Sequence, residues 1–388
     1  VPLLLLAYLA FVSIALPDSI LGMAWPLMRQ SLGGPMSALG FMVPFGIAGY
    51  LTSSSLTGFL LARISVGWLL AGSTAASAVS LVACGLAPAL WVVAAAMLVG
   101  GFGSGAVDSG LNAYAASHFG ARHINWMHAS YGLGATAGPL LITAGLASGL
   151  SWRWGYAVLA VVQTFLCAAF ALTARSWGPA GSPGGGRRPR QPASAPSASE
   201  AAEDRRPSGR AAIWRGVAAV ALQTGVESAT SLWAFVFLTE GRGLATEPAG
   251  LTVSAYWAAM FVGRLVLGPL AERVGVRPVL TGGVLGVIAA TLLMALPAPP
   301  WVAAVGITAA GFATAPIFPL MTLTTSERVG ARRAQQAIGF QVAASTVGSA
   351  GVSAGVGVVV GHLGAAWIGP CLLALAVAMG VAYAGIRR

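Results

Sequence analysis

The chain has 388 residues, of which 57% are hydrophobic and 8% charged, with a mean hydropathy of +0.80. A water-soluble globular domain keeps about 25% of its residues charged to cover its surface, so lipid is the main solvent here. The formal charge of +11 rests on arginine alone, lysine being absent, and the placement of those arginines decides whether they serve a polyanion or a membrane.

A bilayer core takes about 20 apolar residues per helix. In chain order such windows fall near 3–27, 36–61, 66–86, 89–117, 124–148 and 153–174, then near 213–238, 248–270, 278–297, 301–325, 335–360 and 366–386. The fold class expected is therefore an all-α membrane protein with twelve transmembrane helices. The first window has the length of a secretory signal, yet no small-residue cleavage site leads into a polar domain, and it reads as the first span. Between the sixth and seventh windows, residues 175–212 hold almost no large apolar side chain and run through Gly181, Pro183 and Gly184 to Arg187 and Arg188. Such a stretch reads as a disordered basic linker between an N-terminal bundle, 1–174, and a C-terminal bundle, 213–388.

With the N-terminus placed in the cytoplasm, eighteen of the 21 arginines fall in inner loops, linker and tail, leaving Arg29, Arg153 and Arg242 outside. This is the positive-inside bias of a multi-pass protein with both termini cytoplasmic, in a cell inner membrane, and it accounts for the charge without nucleic acid. The bundles also repeat. Gly101-Phe102-Gly103 recurs as Gly311-Phe312-Ala313, Gly120-Ala121-Arg122 as Gly330-Ala331-Arg332, and Gly58, Leu60 and Arg63 as Gly268, Leu270 and Arg273, all 210 positions apart. Two six-helix units in parallel orientation are the plan of secondary transporters that rock about a central site.

A charge at mid-bilayer costs about 2.5–3.5 kcal/mol, so an acid within a span needs a cavity, a partner or a proton. Asp18 in the first span and Glu227 in the seventh, each followed by serine, stand 209 positions apart and form a repeat-related pair of candidate ion-coupling sites. A carboxyl there binds a proton or, as an anion, sodium. The alternative for either is a local cap, which Pro17-Asp18-Ser19 in particular would suit. Gln223, Glu227 and Ser231 in the seventh span, and Ser104, Asp108 and Asn112 in the fourth, each recur every four residues and so share a helix face that should line water. Asp108 and Asn112 are expected to meet His128 and Tyr131 of the fifth span as a solute or proton cluster, or to tie the two helices together. Gln341 and Ser345 add a shorter polar face in span eleven. Arg264 either snorkels to the cytoplasm or pairs with an acid such as Asp108. Trp233 and Trp257 either stack on a sugar ring or lie in the lipid belt.

Gly268-Pro269-Leu270-Ala271-Glu272-Arg273-Val274-Gly275-Val276-Arg277 resembles the G-x-L-A-[DE]-R-x-G-x-[RK] loop signature of the major facilitator superfamily, a cytoplasmic gate motif. The repeat-related place, with Gly58 and Arg63, lacks the acidic residue, which implies a weaker latch there. Asp108 to Asn112 and Asn125 to Ala135 resemble the fucose permease and sodium-dependent glucose transporter branch. That resemblance implies transport of a sugar or similar solute, driven by a proton or sodium gradient. Gly134-Ala135-Thr136-Ala137-Gly138-Pro139 is similar to part of the G-x-x-x-G-P motif of exporters of drugs and metabolites, which makes proton-coupled export the alternative.

Cys84, Cys167 and Cys371 each lie inside an apolar run with no CxxC spacing and read as packing residues. No paired catalytic carboxylates, activated nucleophile or metal-ligand set is visible, so neither an enzyme nor a bound cofactor or metal is expected. A channel would build its axis from several subunits, whereas an internal duplication suits a monomer with alternating access. The partners expected are a small-molecule solute, a proton or sodium ion, and the lipid bilayer.

Overall fold

The structure, a computed structural model, describes residues 3–119, 121–178 and 208–386. The expected linker lies mostly outside the described residues. At its start, residues 174–177 form a 3-10 turn that buries Trp177 against Phe170.

Six helices precede the linker: α1 (Leu3–Leu32), α2 (Ala38–Leu61), α3 (Val66–Leu86), α4 (Leu90–His118), α5 (Ala121–Ala147) and α6 (Trp152–Thr173). After it come α7 (Ser208–Val236), α8 (Thr246–Val274), α9 (Val276–Ala295), α10 (Pro300–Thr314), α11 (Ile317–Leu323), α12 (Thr325–Val329), α13 (Ala331–Leu363) and α14 (Ile368–Ile386). The expected tenth span is interrupted between α10 and α11, where Pro316 cannot donate a backbone hydrogen bond. A π turn at Phe237–Gly241 closes α7. Between α8 and α9 the chain reverses on Gly275 alone, whose φ of 97° is reached without a Cβ penalty.

Among the described residues, ten segments are long and apolar enough to cross a membrane, α10 and α11 counting as one. The expected fifth and seventh spans, α5 and α7, are 27 and 29 residues long but are not in that set. Their length is sufficient; Asn, His, Ser and Tyr in α5, and Arg, Gln, Glu and Ser in α7, lower their hydropathy.

Packing follows the same pairing before and after the linker. In the first half α1 packs on α5 and α6, α4 on α2 and α3, and α3 on α6. In the second, α7 packs on α13 and α14, α10 on α8 and α9, and α9 on α14. The halves meet through α1 with α7, α2 with α13, and α5 with α8.

The start of α1 and the end of α14 lie at one end of the bundle, called here the terminal end; the α1–α2, α5–α6 and α7–α8 turns lie at the far end. At the far end one apolar core runs through both halves, joining Ile20, Trp25 and Met28 to Trp233, Phe237 and Tyr256. Toward the terminal end there are two cores: one in the first half around Leu6, Phe11 and Phe170, the other in the second around Val220, Leu280 and Met379. The far-end contact is backbone on backbone. A Cβ at Gly22 would collide with the Leu232 carbonyl, and one at Gly40 would fall 2.5 Å from the Ser353 carbonyl oxygen. Small residues permit this approach between helices in lipid, where apolar burial offers little drive.

Candidate functional site

The halves enclose a cavity of about 340 Å³. Its wall takes Asp18 and Leu21 from α1, Tyr50 from α2, Ser104 from α4, Tyr131 from α5 and, from the second half, Glu227 and Ser231 of α7 and Trp257 of α8. Of the sequence-predicted residues, Asp18, Glu227, Ser104, Tyr131 and Ser231 therefore reach one space. A larger depression of about 1140 Å³ between α8, α9 and α10 is lined almost wholly by Leu, Val, Ala, Gly and Phe and offers little to orient a polar solute.

Asp18 follows Pro17 inside the continuous helix α1. Proline has no N–H, so the carbonyl of Ser13, four residues earlier, loses its helical donor. Gln163 of α6 replaces it, its Nε2 donating to Ser13 O at 3.1 Å. The Asp18 side chain is open to the cavity, and Tyr131 Oη donates to its Oδ2 at 3.1 Å.

Glu227 is more enclosed. Gln223, one turn earlier, donates through Nε2 to Oε2 at 2.7 Å and also to Thr314 Oγ1 at 3.1 Å. Arg264 Nη2 stands 4.0 Å from Oε1. Of the two roles foreseen for Arg264, pairing with an acid holds, but the acid is Glu227 rather than Asp108.

Asp108 lies one layer behind the wall. Tyr50, on the wall, donates its hydroxyl to Asp108 Oδ2, Asn112 Nδ2 donates to Oδ1 at 2.9 Å, and His128 Nε2 meets Asn112 Oδ1 at 3.1 Å. The expected α4–α5 cluster thus exists as a chain Tyr50–Asp108–Asn112–His128. Tyr131 is not part of it and turns to Asp18 instead, while His128, almost one turn earlier, reaches Asn112 of α4 and packs edge-on against Phe11 of α1.

Gln341 and Ser345 do not line the cavity. Gln341 is buried and accepts from Thr325 Oγ1 at 3.1 Å, tying α13 to α12. Ser345 donates to Val342 O at 2.7 Å, and its own carbonyl accepts from Thr224. The polar face of α13 reaches the wall one and two turns later, at Ser349 and Ser353; extending the four-residue spacing from Gln341 through Ser345 would have found both. Ser77 and Ser80 on α3 carry a similar signal. Tyr50 and Gln163 do not: Tyr50 precedes a run of hydroxyls, Thr52 to Ser55 and Thr57, in which nothing singles it out, and Gln163 is followed by Thr164 in an otherwise apolar stretch of α6.

Trp257 is on the cavity wall, its ring 6.3 Å from that of Tyr131. Trp233 is fully buried and donates to Ser353 O at 3.1 Å, a packing role. The gate-motif residues Arg63, Gly268, Glu272, Arg273, Gly275 and Arg277 are all exposed at the terminal end, as is Gly58. The ion pairs described join Arg29 to Glu240 and Arg264 to Glu227, and neither involves a residue of the gate motif.

Solved structures share this architecture from end to end. A mutant of the nucleoside transporter NupG superposes with a TM-score of 0.77 at 15% identity, covering 99% of each chain. The peptide transporter POT in complex with alafosfalin gives 0.73 at 14%, covering 98% of this chain and 94% of that one. A bacterial homologue of the human lysosomal transporter Spinster, in an inward-facing and unoccupied conformation, gives 0.73 at 15%, covering 99% and 94%. Among curated protein sequences no match was found. The sequence model of the Major Facilitator Superfamily matches residues 7–353, and the chain belongs to that superfamily as a transporter rather than an enzyme.

Proposed function

We propose that the protein is a secondary active transporter of twelve spans in two parallel six-helix repeats, moving a small polar solute by alternating access under a proton or sodium gradient. One observation carries this reading: the two repeat-related acids, Asp18 and Glu227, line a single cavity between the halves, and those halves are joined at one end and parted at the other. The repeated packing scheme supports the duplication, and the inner placement of arginines supports cytoplasmic termini in a cell inner membrane. The terminal end then faces the cytoplasm, and the conformation is inward-facing, as the Spinster homologue's is said to be.

The cavity wall holds two carboxyls, seven serines and three tyrosines, and no basic side chain. Such a wall disfavours phosphates and carboxylates and suits uncharged hydroxyl-rich or amide-bearing solutes, or small cations. Tyr131 and Trp257 offer aromatic faces to a sugar or a base, and the structural neighbours handle nucleosides and peptides. Proton-coupled export of drugs or metabolites stays the alternative; Gly134 and Gly138 of the exporter-like segment pack against α1, where a Cβ at either would collide with Val12 or Ser19.

Flux into proteoliposomes tests the function, with monosaccharides, nucleosides, dipeptides and apolar cations each offered with and without proton and sodium gradients. A saturable flux of one polar class that collapses with the gradient is expected. Gradient-independent, non-saturating flux would instead indicate a channel, and flux of apolar cations alone an exporter.

A further inference from the structure

Asp18 and Glu227 occupy repeat-related positions, yet their surroundings differ in the one respect that governs ion exchange. Glu227 accepts a hydrogen bond on Oε2 from Gln223 at 2.7 Å and has the exposed Arg264 guanidinium 4.0 Å from Oε1, a charge contact without a hydrogen bond, with its own side chain 21% exposed. Asp18 has a neutral donor, Tyr131, on Oδ2. Among the described residues no cationic group pairs with it, and its side chain is open to the cavity. The groups around it do not supply a charge. On α5 they are Tyr131 and His128, the latter held by Asn112. On α2 and α4 they are Tyr50 and Asp108, bonded to each other. On α6 it is Tyr156, and on α7 it is Glu227, already facing Arg264 of α8.

We propose that the two acids have divided their roles: Asp18 takes up and releases the coupling cation, one proton or one sodium ion per cycle, while Glu227 stays with the facing charge of Arg264 and positions α7 against α8. The inference rests on the transport reading for the word "coupling", but the cation site itself does not. Uptake at Asp18 is reversible and needs no co-reactant: a carboxylate gains a proton to become a carboxyl, or holds a sodium ion between Oδ1, Oδ2 and the Tyr131 hydroxyl. The charge at Asp18 then alternates between minus one and zero, a smaller electrostatic change than two titrating acids would impose in a low-dielectric space. Removing Arg264 alone would free Glu227 to take a second cation. Removing both charges together, as in Glu227→Gln with Arg264→Gln, would leave the Asp18 site as it is.

The test is the melting midpoint of the full-length protein in nanodiscs, as sodium replaces a large organic cation at fixed pH and ionic strength, and separately as pH is varied without sodium. The wild type should gain roughly 3–6 °C with one of the two cations. Asp18→Asn should be flat to both, Glu227→Gln/Arg264→Gln should respond as the wild type does, and Arg264→Gln should respond more steeply. Should Asp18→Asn fail to fold, Tyr131→Phe keeps the carboxylate, removes its donor, and is expected to shift the half-saturating cation concentration by about threefold or more. A wild type indifferent to both cations, an Asp18→Asn protein that still responds, or a double variant that does not respond would each overturn the assignment. An intact cation response without solute flux in any proteoliposome assay would instead remove the transport reading and leave the cation site standing.

Discussion

The two ends of the bundle are built from the same repeated helices but joined in opposite ways. At the far end, Gly22 lies against Leu232, Gly40 against Ser353, and Gly357 against Ser37, and a single apolar core spans both halves. At the terminal end each half keeps a core of its own, and the charged loop motifs are exposed. The small-residue and backbone contacts at the far end can part in lipid, but the apolar core shared there has to part with them; the terminal-end cores lie within one half each and have no such seam. The difference marks the halves as the rigid units and the far-end contact as the part that opens.

The comparison breaks most directly at Gly22. Gly22→Val forces α1 and α7 apart, at about 1–3 kcal/mol for overpacking, and should shift the balance toward a far-end-open form by roughly 5- to 150-fold. Accessibility of single cysteines at the far end would report it. Gly58→Val, where a side chain meets open space, serves as the neutral control, within about 0.5 kcal/mol. Next, Asp18→Asn should reduce gradient-driven accumulation of whichever solute is found by at least about tenfold while leaving solute exchange intact, since exchange needs no net ion movement. Retained accumulation would remove Asp18 from the coupling step.

Smaller effects sharpen the picture behind the wall. Tyr50→Phe removes a donor to the Asp108 carboxylate and should lower stability by about 1.5–3 kcal/mol, seen as a lower melting midpoint with an unchanged cation response. The smallest effect is expected at the Arg29–Glu240 pair at the far end, 3.3 Å apart with side chains 26% and 32% exposed. Glu240→Gln should weaken far-end closure by about 0.2–1 kcal/mol, and added salt should mimic it.

Most of the fold was legible because its cause is periodic. Twenty-residue apolar runs, arginine bias and a 210-residue echo are properties of the chain read in one dimension, and the helices observed lie close to the windows they imply. The exceptions have local causes: Pro316 splits the tenth window, and the polar faces of α5 and α7 lower the hydropathy of two helices that border the cavity. In the site, Asp18 and Glu227 were legible through the repeat, and Ser104 and Ser231 through helical spacing. Tyr50, Gln163 and the Arg264–Glu227 pair were not, since each depends on which helices become neighbours, and the sequence of one helix does not reveal the partner a polar residue will meet on another.

The most direct test of the alternating-access reading is a pair of distance distributions between spin labels in lipid, with Cys84, Cys167 and Cys371 replaced. One pair sits at Ile64 and Val274 across the terminal end, the other at Leu150 and Glu247 across the far end. As cation or solute conditions are varied, the terminal pair should shorten in the population where the far pair lengthens. Two distances that stay fixed, or that change in the same sense, would contradict a cavity that opens to one side at a time.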